Sequence, residues 1–263
     1  REPIIGNYKN HKIISIGPPS SGGIALVQML NGAEKLNVNK YEHNSKDYIH
    51  VISEIESRVY ADRATYLGDP DFFEVPSNTL ISDKYLQNKF STIDLNKKTP
   101  SSDIKEGQIT MNETEETTHF SIVDKFGNAV SITTTINGSY GSKVVVDGAG
   151  FLLNNEMDDF SIKPGFPNMF GLTGGEANAI EGNKRMLSSM TPTIIEKEGE
   201  LFMVLGTPGG STIITSVFQT ILNVIDFNMN MQEAVDSKKF HHQWSPDVIV
   251  IEKNTIKDDI KDN

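Results

Sequence analysis

The chain has 263 residues, enough for one large domain or two small ones. Hydrophobic residues make up 37% and charged residues 22%, a balance that excludes a wholly disordered or collagen-like chain. The net charge of −11 argues against binding nucleic acid or anionic lipid, and the lack of cysteine excludes disulfides, thiolate metal sites and a cysteine nucleophile. No apolar run reaches the roughly 18 residues that a membrane span needs. The chain begins at Arg1 without a signal-peptide pattern, so we expect a fragment or a processed product.

The first predicted elements are a strand, a turn and a helix. Residues 12–16 have the composition of a short strand, and the Pro- and Gly-rich residues 18–23 end it. The hydroxyls of Ser20 and Ser21 are expected to cap a helix that continues to Leu30.

The clearest helix signal lies in the charged segment that follows residue 45. Apolar side chains recur at helical spacing at positions 48, 52, 55 and 59, which predicts a helix that buries this stripe and ends near Gly68. From Asp83 to Glu116 the composition becomes polar, which is typical of a linker or a surface loop.

The second half of the chain alternates strand, turn and helix signals, which together predict an α+β fold. The predicted elements are a hairpin over 119–124 and 129–136, a second hairpin over 193–197 and 201–205, a glycine loop over 206–210, helices over 211–226 and 232–240, and a strand over 247–252.

Three segments could carry chemistry, although each also has an ordinary structural interpretation. Thr117 begins a strand after an acidic linker and could become a new chain terminus, but threonine is also a common strand residue. The glycine loop at 206–211 could hold an anion or an oxyanion, or form a tight turn, and it lacks the Gly-Lys-Ser/Thr ending of a nucleotide-binding loop. The run at 154–159 could bind an ammonium group or be a solvated acidic turn. His241 and His242 are interpreted as structural, and no metal is inferred.

Together these segments resemble the gamma-glutamyltranspeptidases, which are N-terminal-nucleophile hydrolases. The motifs that carry the resemblance are, in chain order, PPSSGG at 18–23, YLGDPDF at 66–72, TTHFS at 117–121, LLNNEMDDFS at 152–161, NKRMLSSM at 183–190, TPGGS at 207–211 and FHHQW at 240–244. The resemblance implies an α+β fold of the αββα four-layer sandwich type. It covers nearly the whole chain but only about half of such a protein. Residues 1–116 are therefore expected to be the C-terminal part of the large subunit, and 117–263 most of the small, catalytic subunit.

The resemblance implies a precursor that cuts itself between Glu116 and Thr117. The α-amino group released on Thr117 has a pKa of about 7.7 to 8.0, so near neutral pH it can accept the proton of the hydroxyl nucleophile. The hydroxyl of Thr135 is expected to assist Thr117. The backbone N–H groups of Gly209 and Gly210 are expected to form the oxyanion hole.

The substrate contacts implied by the resemblance divide into two chemically opposite groups. Asn137, Glu156 and Asp159 are expected to bind the α-amino group of a γ-glutamyl substrate, and Ser188 and Ser189 its α-carboxylate. Carboxylates pair with an ammonium group, and hydroxyls donate to a carboxylate. An arginine from a large-subunit segment outside this chain normally clamps the same carboxylate.

Three positions depart from the family pattern. Phe170, in a lid-like segment at 164–175, stands where many relatives have a tyrosine whose hydroxyl bonds to the residue matching Asn137. A phenylalanine cannot form that bond, which predicts a lid that opens more readily. Thr212 replaces an arginine and Met186 a proline, and no consequence is assigned to either.

The resulting hypothesis is γ-glutamyl acyl transfer and hydrolysis through an acyl-enzyme on Thr117, with glutathione and other γ-glutamyl compounds as donors. Water, amino acids or peptides would be acceptors, and no cofactor or metal is expected. A periplasmic or secreted location is expected by resemblance alone. The alternatives are a cephalosporin or glutaryl acylase, a catalytically silent fragment, and a nucleotide-binding module that uses the glycine loop.

Overall fold

A computed structural model describes residues 1–104, 117–253 and 255. The strands are β1 Ile4–Tyr8, β2 His11–Ser15, β3 Thr118–Val123, β4 Ala129–Thr134, β5 Thr193–Lys197, β6 Glu200–Leu205, β7 Phe240–His241 and β8 Val250–Ile251. The α-helices are α1 Gly22–Lys35, α2 Lys46–Tyr66, α3 Ser77–Leu80, α4 Asp83–Phe90, α5 Ile213–Ile225 and α6 Met231–Asp236. In the part of the chain that is described, no helix combines the length and the apolar character that crossing a membrane requires.

An antiparallel sheet of four strands, in the order β1-β2-β5-β6, forms the centre of the fold. Helices α1, α2 and α5 share one hydrophobic core with the sheet, to which Ile13 and Ile195 contribute fully buried side chains. The sheet therefore has a face covered by helices, in a fold that mixes helices and strands.

Helix α2 confirms the predicted stripe, because Tyr48, Ile52, Ile55 and Val59 are all buried in this core. The helix begins after Ser45, whose hydroxyl accepts the N–H of Tyr48, and it ends two residues before Gly68. Burial extends to the last turn and includes the charged residues Glu54, Glu56, Arg58, Asp62 and Arg63.

One strand was missed, and three local predictions were wrong. Strand β1 was not predicted, because IIGNY acquires strand geometry only by pairing with β2. The segment from Asp83 begins with helix α4, which buries only Leu86 and Phe90 and is therefore polar in composition. The helix predicted over 232–240 ends at Asp236, since Phe240 pairs with Ile251 in a short sheet. Ser21 stands at the start of α1, but its hydroxyl donates to the carbonyl of Ser188 instead of capping the helix.

The hairpin predicted after residue 117 is confirmed as β3 and β4, joined by a turn in which Asp124 accepts the N–H groups of Phe126 and Asn128. Its β4 strand touches the main sheet through Ser131, which donates to the carbonyl of Leu205 and accepts the N–H of Thr193. This contact fixes the hairpin against the ends of β5 and β6.

Candidate active site

The hairpin register brings two threonine hydroxyls together. Thr118 pairs with Thr134, so Thr117 and Thr135 leave the paired strands side by side. The Thr117 hydroxyl donates to the Thr135 hydroxyl at 3.4 Å. Both side chains are half-buried, which leaves the pair accessible from an adjacent cavity.

That cavity collects most of the residues predicted for the site. Its walls are formed by Arg63, Thr117, Thr135, Asn137, Asp159, Phe170, Leu172, Leu187, Ser188, Ser189, Met190, Gly210 and Ile213. Segments that are far apart in the sequence thus line one small cavity. They contribute a pair of hydroxyls, a carboxylate, an amide and two further hydroxyls.

The acidic side of the cavity is the 3₁₀ turn Glu156–Asp159. Burial raises the pKa of Asp159 to about 7, Arg63 opposes this rise, and the neighbouring carboxylates Glu156 and Asp158 add to it. Burial also raises the pKa of Glu156. A cationic group in the cavity would therefore relieve an unfavourable carboxylate, which favours binding of an ammonium ion.

Asn137 links the hydroxyl pair to the lid segment. It adopts a left-handed conformation with φ of 73°, and its N–H donates to the Thr135 hydroxyl at 2.9 Å. Its side-chain amide donates to the carbonyl of Asn155 at 3.3 Å and contacts the sulfur of Met169 at 3.6 Å. Asn137 is thereby held beside Thr135 without a tyrosine hydroxyl.

The glycine loop and Phe170 close the opposite wall. Gly210 has φ of +50°, and a Cβ atom there would lie 2.8 Å from the Phe170 ring, so only glycine fits. The helical segment Gly210–Thr212 starts here, and the start of a helix is a favourable position for an oxyanion. The Phe170 side chain is 5% exposed and belongs to the main core. The predicted looser lid stays a prediction.

The serine side is held by the PPSSGG segment. The carbonyl of Ser188 accepts two hydrogen bonds from Ser21, one from its N–H at 2.8 Å and one from its hydroxyl at 2.7 Å. The N–H of Ser188 donates to the carbonyl of Pro19 at 3.1 Å. Three residues earlier, the backbone and guanidinium of Arg185 donate three bonds of 2.9 Å to Asp69, which is fully buried. The two serines thus stand on a loop fixed at both ends.

Two predicted site residues do not line the cavity that the described residues form. Gly209 precedes the glycine that does, and Glu156 lies one turn away from Asp159. Glu116, on the other side of the predicted cleavage point, lies outside the described residues.

The FHHQW segment at 240–244 contacts the site through the backbone of Phe170. His241 and His242 are buried, and His241 shares a hydrogen bond of 2.9 Å with Thr215 and one of 2.8 Å with Gln243. Gln243 donates to the carbonyl of Phe170 at 3.2 Å. Across residues 1–104, 117–253 and 255, no group of three or more His, Asp or Glu side chains is arranged to hold a metal ion.

Of the cavity residues that sequence reasoning missed, Arg63 is the charged one. Arg63 lies in the last turn of α2, is 4% exposed, and donates to the hydroxyls of Ser21 and Ser189 at 3.0 Å each. The signal was present in the sequence, because Arg63 follows Val59 by four residues and continues the buried stripe.

Comparison with known proteins identifies the family of the chain. A sequence model described as Gamma-glutamyltranspeptidase matches residues 1–263. The chain belongs to the gamma-glutamyltranspeptidase family. Over 261 residues it is 49% identical to a glutathione hydrolase proenzyme of Escherichia coli K12, covering 99% of the chain and 45% of the relative. The chain therefore spans about half the length of the curated relatives it matches.

The chain is also similar to solved structures and to acylases. A gamma-glutamyltranspeptidase mutant of Helicobacter pylori is 64% identical with a TM-score of 0.54, covering 56% of this chain and 78% of that one. A cephalosporin acylase of Bacillus halodurans, 24% identical, has a TM-score of 0.70 over 91% of this chain and 40% of that one, and shows the fold alone. The acylase ACY 1 proenzyme of Pseudomonas sp. SE83 is 36% identical over 91% of this chain and 40% of the relative.

Proposed function

We propose that the full-length protein is a γ-glutamyl acyltransferase and hydrolase that uses Thr117 as its N-terminal nucleophile. The observation that carries the proposal is the cavity lined by the paired hydroxyls of Thr117 and Thr135, by Asp159 and by the two serines at 188 and 189. An acidic group and a hydroxyl pair are complementary to the ammonium and carboxylate of an amino acid. The names of the relatives support glutathione as a donor.

The reaction follows from the groups around Thr117. Once the bond between Glu116 and Thr117 is cut, the free α-amine accepts the proton of the Thr117 hydroxyl, whose oxygen attacks the γ-carbonyl of the donor. The N–H groups of Gly209 and Gly210 would stabilise the oxyanion, and loss of one such donor typically costs about 100-fold to 1000-fold in rate. The γ-amide bond of the donor then breaks, and its amine leaves with the proton that the α-amine had accepted. The acyl group is transferred from Thr117 to water, or to an amino acid or peptide acceptor, and the Thr117 hydroxyl is regenerated.

The same proposal includes the division of the chain into two subunits and the four-layer arrangement of its sheets and helices. Residues 1–116 would be the C-terminal part of a large subunit and 117–263 most of a small one, both from one precursor. Helices on one face of the main sheet and the β3–β4 hairpin at its end support an αββα sandwich. The outer hairpin face, with Phe120, Ile122, Val130 and Ile132 each at least 39% exposed, would be covered by a further helical layer.

The function is tested by incubating the full-length protein with glutathione and with a γ-glutamyl anilide. We expect release of glutamate in both cases, and a chain that begins at Thr117 in intact-mass measurement. The Thr117→Ala variant is the control and should show neither. An acylase with the same nucleophile would instead prefer a glutaryl anilide, which lacks the α-ammonium group, and would leave Asp159 unpaired. Such a preference would replace the γ-glutamyl proposal.

A further inference from the structure

Arg63 is a buried cation whose side-chain hydrogen bonds go to hydroxyl groups. Its side chain donates from Nε to Ser21 and from Nη2 to Ser189, and no carboxylate of the described residues forms an ion pair with it. Five residues earlier in the same helix, the equally buried Arg58 is paired with Glu54 at 2.5 Å. Asp159 attracts Arg63 electrostatically without a close ion pair, so the two hydrogen bonds from Arg63 to serine hydroxyls need an explanation of their own.

The end of helix α2 accounts for part of this arrangement. Arg63 is the basic residue of the last turn, where the helix dipole favours a cation. The dipole explains how the charge is tolerated, but it does not direct the guanidinium towards a serine on a distant loop.

The contact with Ser189 has a chemical consequence. A guanidinium has donors only, whereas a hydroxyl has one donor and two acceptor lone pairs. Because Arg63 occupies a lone pair of Ser189, the hydroxyl hydrogen must point away from Arg63, and both side chains line the cavity beside Thr117. A nearby cation also strengthens a hydroxyl as a donor to an anion.

The contact with Ser21 acts on the neighbouring serine. Ser21 accepts from Arg63 and donates to the carbonyl of Ser188, so the guanidinium is linked to the backbone of the serine loop as well as to one of its side chains. Arg63 thus holds the two serines from the large-subunit side of the predicted cleavage point.

We infer that Arg63 is a positioning residue for the α-carboxylate of the γ-glutamyl donor, acting through the hydroxyl of Ser189 and the Ser21–Ser188 contact. This inference rests on the proposed function. It makes Arg63 a specificity determinant, because only ligands that carry the α-carboxylate gain from an oriented serine hydroxyl. A ligand that has the ammonium group alone gains nothing.

The test compares two competitive inhibitors of the processed full-length enzyme, glutamate and 4-aminobutanoate, which is glutamate without its α-carboxylate. In Arg63→Lys, which keeps the charge but loses the forked geometry, the Ki for glutamate should rise about tenfold. The Ki for 4-aminobutanoate should change by less than about twofold. The matched control is Arg58→Lys, in the same helix but outside the cavity, which should leave the ratio of the two constants unchanged.

A double-mutant cycle identifies the route of the effect. In a Ser189→Ala background, Arg63→Lys should change the Ki for glutamate by less than about threefold, because the hydroxyl it orients is already gone. If Arg63→Lys does not mature, the two Ki values are measured in Ser21→Ala instead. This variant removes one acceptor of the guanidinium and keeps the charge of Arg63, and the Ki for glutamate should again rise more than that for 4-aminobutanoate.

Two results separate the inference from the function on which it rests. An equal loss for both inhibitors would overturn the inference and assign Arg63 to general packing or to Asp159. A wild-type enzyme that does not act on γ-glutamyl compounds would overturn the proposed function itself.

Discussion

Replacing Asp159 by asparagine tests whether the ionised carboxylate destabilises the enzyme before substrate binds. Burial raises the pKa of Asp159 from its ordinary value of 3.8 to about 7. A carboxyl group whose pKa is higher in the folded state favours the folded state while it is protonated, and this contribution is lost as the pH rises to 7. The ionised group therefore destabilises the enzyme at pH 8, and a neutral asparagine should stabilise it.

The size of the effect follows from the two pKa values. Each pKa unit corresponds to about 1.4 kcal/mol, so the difference between 3.8 and about 7 sets an upper bound on the order of 4 kcal/mol at pH 8. Asp159 is only partly buried and is bonded to the Asn168 amide at 3.4 Å, so we expect about 2 kcal/mol. At pH 5 the gain should fall to less than about half.

The assay is the apparent melting temperature of the processed full-length enzyme at pH 8, 7, 6 and 5, with and without the substitution. Asp147→Asn removes an exposed carboxylate and serves as the control against which the effect of Asp159→Asn is judged. The same Asp159→Asn enzyme should lose γ-glutamyl kcat/KM by about 30-fold or more, since removing one partner of a desolvated ion pair costs about 2 to 5 kcal/mol.

Two outcomes would refute this reasoning. A variant that is no more stable than the parent at pH 8, or a gain that is equal at every pH, would show that burial does not disfavour the ionised Asp159. An unchanged kcat/KM would reject its role in binding the ammonium group, whatever the melting temperature does.

Three further predictions concern cleavage, stability and the lid. Thr117→Ala should leave an uncut precursor in intact-mass measurement, because the attacking hydroxyl is gone, and normal cleavage would reject this nucleophile. Asp69→Asn should lower the free energy of unfolding by about 2 kcal/mol, and the more exposed Asp71→Asn by less than about 0.5 kcal/mol. Equal losses would contradict the role assigned to the buried Asp69. Phe170→Tyr should raise the ratio of transfer to hydrolysis up to about tenfold if its hydroxyl reaches Asn137. An unchanged ratio in a normally processed variant would make the ring a packing residue.

Local sequence patterns were sufficient for helix α2 and for both predicted hairpins. Helix α2 has apolar side chains at helical spacing, and each hairpin has two strand-forming segments on either side of turn residues. Strand β1 and helix α4 were missed because IIGNY depends on its partner strand and DKYLQNKF buries only two side chains. In both segments, tertiary packing supplies the stabilisation that the local pattern does not show.

The motifs identified the family and named the groups that meet around Thr117. The sequence by itself determined their chemistry, because hydroxyl, carboxylate and glycine at fixed positions limit the possible reaction. Only the tertiary structure decided that Ser21 supports Ser188 instead of capping a helix, and that Arg63 reaches Ser189 across 126 positions of the chain. Hydrogen bonds between distant segments depend on how helices and strands pack, and no local spacing encodes that packing.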